Sequence, residues 1–124
     1  MICLDTNYLI LALVSESRES QQIIDWSRDG ERFCTSSIAW YEFTCGPADS
    51  QQIAAVRALL DQIIAFDDHL AEAAADLFNA AGRRRHLRVD GMIAATALSA
   101  KAVLATNDRN DFSAFSTAGL QLVD

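Results

Sequence analysis

A chain of 124 residues, 51% of them apolar and 22% charged, is long enough for one folded domain with its own core and needs no disulfide or zinc staple. Its net charge of −7 at pH 7 argues against a general, charge-driven nucleic-acid binder. No apolar run approaches the roughly 20 residues that span a bilayer, and the opening Met-Ile-Cys-Leu-Asp lacks the basic start of a secretory leader, so a cytoplasmic protein without a membrane anchor is expected.

Taken in chain order, Ile2 to Leu4 is a short apolar run followed by Asp5-Thr6-Asn7 and an apolar stretch from Tyr8 to Val14, which reads as strand, turn and helix. Ser17 to Asp29 sets Ile23, Ile24 and Trp26 along one face and stops at Gly30, a second helix. Phe33 to Thr35 is strand two. Ser36-Ser37 then caps a helix carrying Ile38, Tyr41, Glu42 and Cys45, halted by Gly46-Pro47. Ser50 to Gln62 repeats Ile53, Val56, Leu59 and Leu60 at helical spacing, and Ile63 to Phe66 contains strand three. Asp67-Asp68 opens an alanine-rich helix running to about Arg85. Asp90 opens the next, Gly91 to Lys101, apolar almost all round and so expected in the middle of the fold. Val103 to Ala105 and Leu120 to Val123 read as two further strands. No repeat, linker or low-complexity tract interrupts residues 1–124, so a single domain is expected.

Short apolar strands alternating with helices predict an α/β fold: a parallel sheet of about four to five strands with helices on both faces. Binding sites on such sheets form beyond the carboxyl ends of the strands. Asp5 and Asp108 follow strands one and four, Asp90 begins a helix whose N-terminus faces the same edge, and Glu42 lies within side-chain reach of it. Singly, Asp5, Asp90 and Asp108 read as helix caps or turn formers. Four caps do not need to share an edge, whereas a metal site does. Clustered carboxylates resist joint ionisation, and a hard divalent cation relieves the repulsion, which points to metal-assisted hydrolysis of a phosphodiester, RNA before other substrates.

Other chemistries are poorly supported. His69 and His86 are the only histidines, GxSxG is absent, and no GxGxxG or Walker loop offers a nucleotide cradle. Cys3, Cys34 and Cys45 lack ligand spacing and read as small buried hydrophobes. Arg83, Arg84, Arg85 and Arg88 form a basic run that is either a solvated helix end or a phosphate-contacting patch.

Four segments carry a family resemblance: Leu4-Asp5-Thr6-Asn7, Trp40-Tyr41-Glu42-Phe43, the stretch from Asp90-Gly91-Met92 to Leu98, and Leu104-Ala105-Thr106-Asn107-Asp108 with Asp111-Phe112 behind it. In order and separation they resemble the PIN-domain ribonucleases, specifically the VapC-like toxins of type II toxin–antitoxin pairs. The resemblance implies a PIN-like domain over the whole chain. Asp5, Glu42, Asp90 and Asp108 would be the acidic quartet for Mg2+ or Mn2+, and Thr6, Asn7 and Thr106 their hydrogen-bonding support. Asp111 competes with Asp108 for the fourth place. The implied activity is endonucleolytic cleavage of a cellular RNA, tRNA or rRNA, leaving 5′-phosphate and 3′-hydroxyl ends. The implied partners are a VapB-type antitoxin and a second copy of the chain within a larger toxin–antitoxin complex, with Ile23, Trp26, Trp40 and Phe43 as candidate lining of the antitoxin groove. A PIN-type RNA-processing or flap-type nuclease, and a non-catalytic PIN-fold binding module, stand as alternatives.

Overall fold

The computed structural model describes all residues, 1–124. Its strands are β1 (Ile2–Leu4), β2 (Phe33–Ser36), β3 (Gln62–Ile64) and β4 (Val103–Ala105), all parallel, in the order β3-β2-β1-β4. The helices are α1 (Thr6–Leu11), α2 (Arg18–Arg28), α3 (Ser37–Thr44), α4 (Ser50–Leu59), α5 (Asp68–Ala80), α6 (Arg88–Ser99) and α7 (Arg109–Phe112), with 3-10 turns at Arg85–Leu87 and Ser113–Ala118. This is the α/β arrangement that the strand and helix pattern predicts.

β1 is an interior strand and every residue of it is buried. Its register runs Leu4 against Ala105 of β4 and Cys3 against Cys34 of β2. The ladder continues one residue further, because the Asp5 N–H donates to the Ala105 carbonyl at 3.0 Å. The site residue Asp5 is thus fixed by the sheet itself. α6 packs on β2 and β4, α5 lies against α6, and α1 packs on α3. Leu4, Leu9, Ile93, Leu104, Phe112 and Phe115 anchor the core between these layers.

Local chemistry explains where the elements stop. α2 is capped by the Ser17 hydroxyl, which accepts from the Ser20 N–H at 3.0 Å. It ends where Gly30 turns left-handed (φ 84°) and the Glu31 N–H reaches back to the Trp26 carbonyl. Several expected boundaries differ: the helix expected through Gln62 ends at Leu59, and Gln62 instead opens β3, which stops at Ile64. The helix expected through Val14 ends at Leu11, where the hydroxyls of Ser17 and Ser20 take the carbonyls of Leu11 and Val14 and close the turn instead. The alanine-rich helix ends at Ala80 rather than near Arg85, because Gly82 (φ 92°) and Arg83 (φ 57°) bond back to Asn79 and Phe78 in a Schellman closure. That early stop lets the next helix begin at Arg88, so Asp90 is its third residue and not its cap. The fifth strand is absent as such: Leu122 makes a single parallel bridge to Leu104. The Val123 carbonyl is taken by the Arg109 guanidinium, which ends the pairing there. Cys3 and Cys34 are buried as expected, but Cys45, the C-cap of α3, is exposed.

Candidate active site

The carboxylates gather beyond the C-terminal ends of β1 and β4. Asp5 does cap α1, its Oδ1 accepting the Thr6 N–H at 2.8 Å, and the cap does not exhaust it. Its Oδ2 accepts the Thr106 hydroxyl at 2.7 Å, so both oxygens are oriented while each keeps a further lone pair. Thr106 follows β4 and is buried; its Oγ1 also accepts the Asp108 N–H at 3.0 Å, tying two acids to one hydroxyl. Asn7 donates from Nδ2 to Asp108 Oδ2 at 3.4 Å. Glu42 projects from α3, exposed, with Oε1 accepting the Thr6 hydroxyl at 2.7 Å. Thr6, Asn7 and Thr106 therefore each bond an acid directly.

Asp90, in the first turn of α6, is half-buried. Burial is the main cause that pushes its carboxyl up to about 7, and repulsion from Asp5, Asp111, Asp108 and Glu42 adds to it in that order. Asp5 is also pushed upward, by burial first; hydrogen bonds from Thr106 and Thr6 pull it back, while Asp108 and Glu42 raise it. The charges thus act on one another across one small region. Asp111, on α7, bears on Asp90 more than Asp108 does. His86 Nε2 lies 3.7 Å from Asp111 Oδ1.

The donors fit a hard divalent cation by kind: carboxylate oxygens, with no thiolate, and with one carboxyl pushed up to about 7 mainly by burial. As they stand, no three of these side chains close into a ready ion cage.

The arginine run makes local contacts and none with the acids. Arg83 donates to Asn79 Oδ1 at 3.1 Å, Arg84 to the Ala81 carbonyl at 3.3 Å, and Arg88 lies 5.8 Å above the Phe78 ring. With Arg85 they stay exposed on the side marked by His86. A contact beside Thr106 was not anticipated from the sequence: Arg18 Nη2 donates to Asn107 Oδ1 at 3.1 Å and Asn107 Nδ2 donates to Glu19 Oε2 at 3.3 Å. The available signal was the arginine that opens a helix, the wrong sign for that end of the dipole.

An apolar groove of about 300 Å³ lies among Leu9, Ile10, Leu13, Val14, Phe43 and Val56. Of the residues expected to line such a groove only Phe43 does. Ile23 is core, Trp26 stacks on Tyr8 at 6.0 Å, and Trp40 packs on Phe43 at 5.4 Å beneath Arg57. Those indoles are spent on packing between helices.

A family model described as PIN domain matches residues 2–117. Among solved structures, the chain is similar to a toxin–antitoxin complex from Klebsiella pneumoniae, with 26% identity, 91% of each chain covered and a TM-score of 0.68. It is also similar to VapBC-1 from nontypeable Haemophilus influenzae, with 23% identity, 100% of this chain and 98% of that one covered, and a TM-score of 0.72. A sarcin-ricin loop cleaving toxin from Mycobacterium tuberculosis shares 17% identity over 99% of this chain and 98% of its own, with a TM-score of 0.68. The last two speak for the fold. No curated protein matches the chain by sequence.

Proposed function

The chain belongs to the PIN-domain family, and from that premise we propose that it is a Mg2+- or Mn2+-dependent endoribonuclease and the toxin of a toxin–antitoxin pair. One observation carries the reading: Asp5, Glu42 and Asp108 are joined through Thr6, Asn7 and Thr106 beyond one sheet edge, and Asp90, lifted to about 7 mainly by burial, feels the charges of Asp5, Asp111, Asp108 and Glu42 in addition. When bound, a divalent ion supplies positive charge to the phosphorus centre and to the leaving oxygen. The side chains do the remainder. Asp5, held at both oxygens, and Asp90 with Asp108 or Asp111 would hold the ion. Glu42 has one oxygen fixed by Thr6 and the other open, which suits it to accept a proton from the attacking water. Attack at phosphorus with departure of the 3′ oxygen leaves a 5′-phosphate and a 3′-hydroxyl. The exposed Arg83, Arg84, Arg85 and Arg88 are suited to the backbone of a structured RNA on the flank beyond His86.

The relatives suggest the setting. One is a sarcin-ricin loop cleaving toxin and another a toxin–antitoxin complex, which for this chain favours a structured rRNA or tRNA target and a VapB-type antitoxin. The groove beside Phe43 offers such a partner an apolar seat, and an arginine on its tail would compete electrostatically with the ion for the acids. A homodimer within the assembly and a cytoplasmic location complete the proposal. No helix is long and apolar enough to cross a membrane.

The test is cleavage of purified tRNA and rRNA with end mapping. Discrete cuts bearing 5′-phosphates are expected in magnesium or manganese, with none in EDTA and a loss of at least about 100-fold in Asp5→Ala, comparable to removing one charge-stabilising group. Cleavage by Asp5→Ala at the wild-type rate, or indifference to EDTA, sinks the metal-hydrolase reading.

A further inference from the structure

We propose that Arg18 is a substrate-phosphate contact, held beside the acids by Asn107. The guanidinium is bound to Asn107 through one nitrogen at 3.1 Å, while its side chain remains 72% exposed. Asn107 bonds three residues. Its Oδ1 accepts Arg18, its Nδ2 donates to Glu19 Oε2 at 3.3 Å, and its N–H donates to Asn7 Oδ1 at 3.3 Å. Asn7 in turn donates to Asp108. The chain Arg18–Asn107–Asn7–Asp108 therefore fixes a cation with free donors one short relay from the carboxylates.

Helix stability does not account for this arrangement. Arg18 is the first residue of α2, where a cation opposes the helix dipole. Glu19 beside it is buried to 8% exposure, a desolvation cost for a carboxylate at the edge of a surface site. Its distance of 3.9 Å from Arg18 makes a weak ion pair, and its hydrogen bond goes to Asn107 instead. The neighbouring Arg109 has its guanidinium engaged by the Val123 carbonyl. Two like residues are thus treated differently: Arg109 is tied into the fold, and Arg18 is oriented and left open. Through Asn107 and Asn7, Arg18 places positive charge close to Asp108, so that a backbone reaching the acids has a guanidinium waiting. The planar fork suits a phosphodiester.

The inference rests on the phosphodiester reading of the site, and the experiment separates the two. Wild type, Arg18→Ala, Arg18→Lys and Asn107→Ala are compared for initial binding of a short fluorescein-labelled single-stranded RNA in magnesium over a salt series, and for cleavage of total tRNA. Circular dichroism confirms folding of each. Arg18→Ala is expected to weaken binding about 10-fold, to flatten the slope of log K against log salt by about 0.7, the value of one phosphate on a single strand, and to raise KM more than it lowers kcat. Arg18→Lys keeps the slope but loses affinity. Asn107→Ala follows Arg18→Ala, and the double variant is no worse than either, as for residues acting as one unit. Equal binding and slope in wild type and Arg18→Ala overturns the assignment, as does a fall in kcat alone. A wild type that binds RNA through Arg18 without cutting any RNA overturns the nuclease reading and leaves the contact standing.

Discussion

Asp90 is the side chain on which the electrostatics of the cluster are most legible. Its carboxyl sits at about 7 in the fold against its ordinary 3.8. Between those values the folded protein holds a proton that the unfolded chain releases. The cost to metal-free stability is therefore absent below about pH 4, grows as pH rises and is complete above pH 7. The group is half-exposed and water screens much of this, so the expected net cost is on the order of 1 kcal/mol. Asp90→Asn should accordingly raise the denaturation midpoint of the EDTA-treated protein at pH 8, with the gain shrinking steadily toward pH 4. Magnesium should stabilise wild type and leave Asp90→Asn nearly unmoved. Denaturant titrations at several pH values check this. A variant less stable than wild type at pH 8 without metal would mean that Asp90 is favourably partnered instead of crowded.

At the level of elements, what could be read from the chain depended on whether the signal was local. β1 and β4 lie where their apolar runs predict, and Ser17, Gly30, Ser36 and Cys45 bound α2 and α3 because caps act within a few residues. The Schellman closure after Ala80 was written in Gly82 but masked by the helix-favouring alanines before it and arginines after it. The fifth strand failed because an apolar tail was counted without the competitor for its carbonyl, Arg109, which no periodicity reveals. Among the candidate acids, Asp5, Asp90 and Asp108 stand beside a strand end or helix start, where a local signal points to them, and Glu42 stands within α3. The Arg18–Asn107 relay was not legible, since it joins positions 89 apart. α6 offers a check on how tightly the motif glycine is required. A Cβ on Gly91 would meet Ala74 O at 3.6 Å and Phe115 Cζ at 3.8 Å, ordinary contacts in a helix of normal backbone. Gly91→Ala should therefore stabilise the protein by about 0.5–1 kcal/mol through the usual helix preference. Thermal denaturation showing a loss instead would reveal packing between α5 and α6 tighter than these distances.

For the whole molecule, the acid cluster and the apolar groove share α1 and α3 but use different faces: Glu42 and Thr6 serve one, Phe43 and Leu9 the other. Partner binding and cleavage should then be separable. Leu13 and Val14 are each 47% exposed, so Leu13→Asp spares the core. It should cut binding of the cognate antitoxin by at least about 10-fold, or 1.4 kcal/mol, and leave RNA cleavage by the free protein at the wild-type rate. Calorimetry beside the cleavage assay checks both, and undiminished binding would move the partner's seat elsewhere.

The hydrogen bond from Thr106 to Asp5 joins residues 101 positions apart, and Asp108 and Asp111 lie later still. During translation at about 5–20 residues per second, some 5–20 s therefore separate the emergence of the first acid from that of the last. Through that interval β1 lacks its β4 neighbour, Asp5 lacks the hydroxyl that orients it, and the cluster has no Asp90 for part of the time and no Asp108 until the end. The groove residues from Leu9 to Val56 are all made in the first half of the same interval. A nascent chain thus displays the whole of its apolar groove well before it can assemble a complete set of carboxylates, so under the proposed function a partner could be seated before the acids are complete.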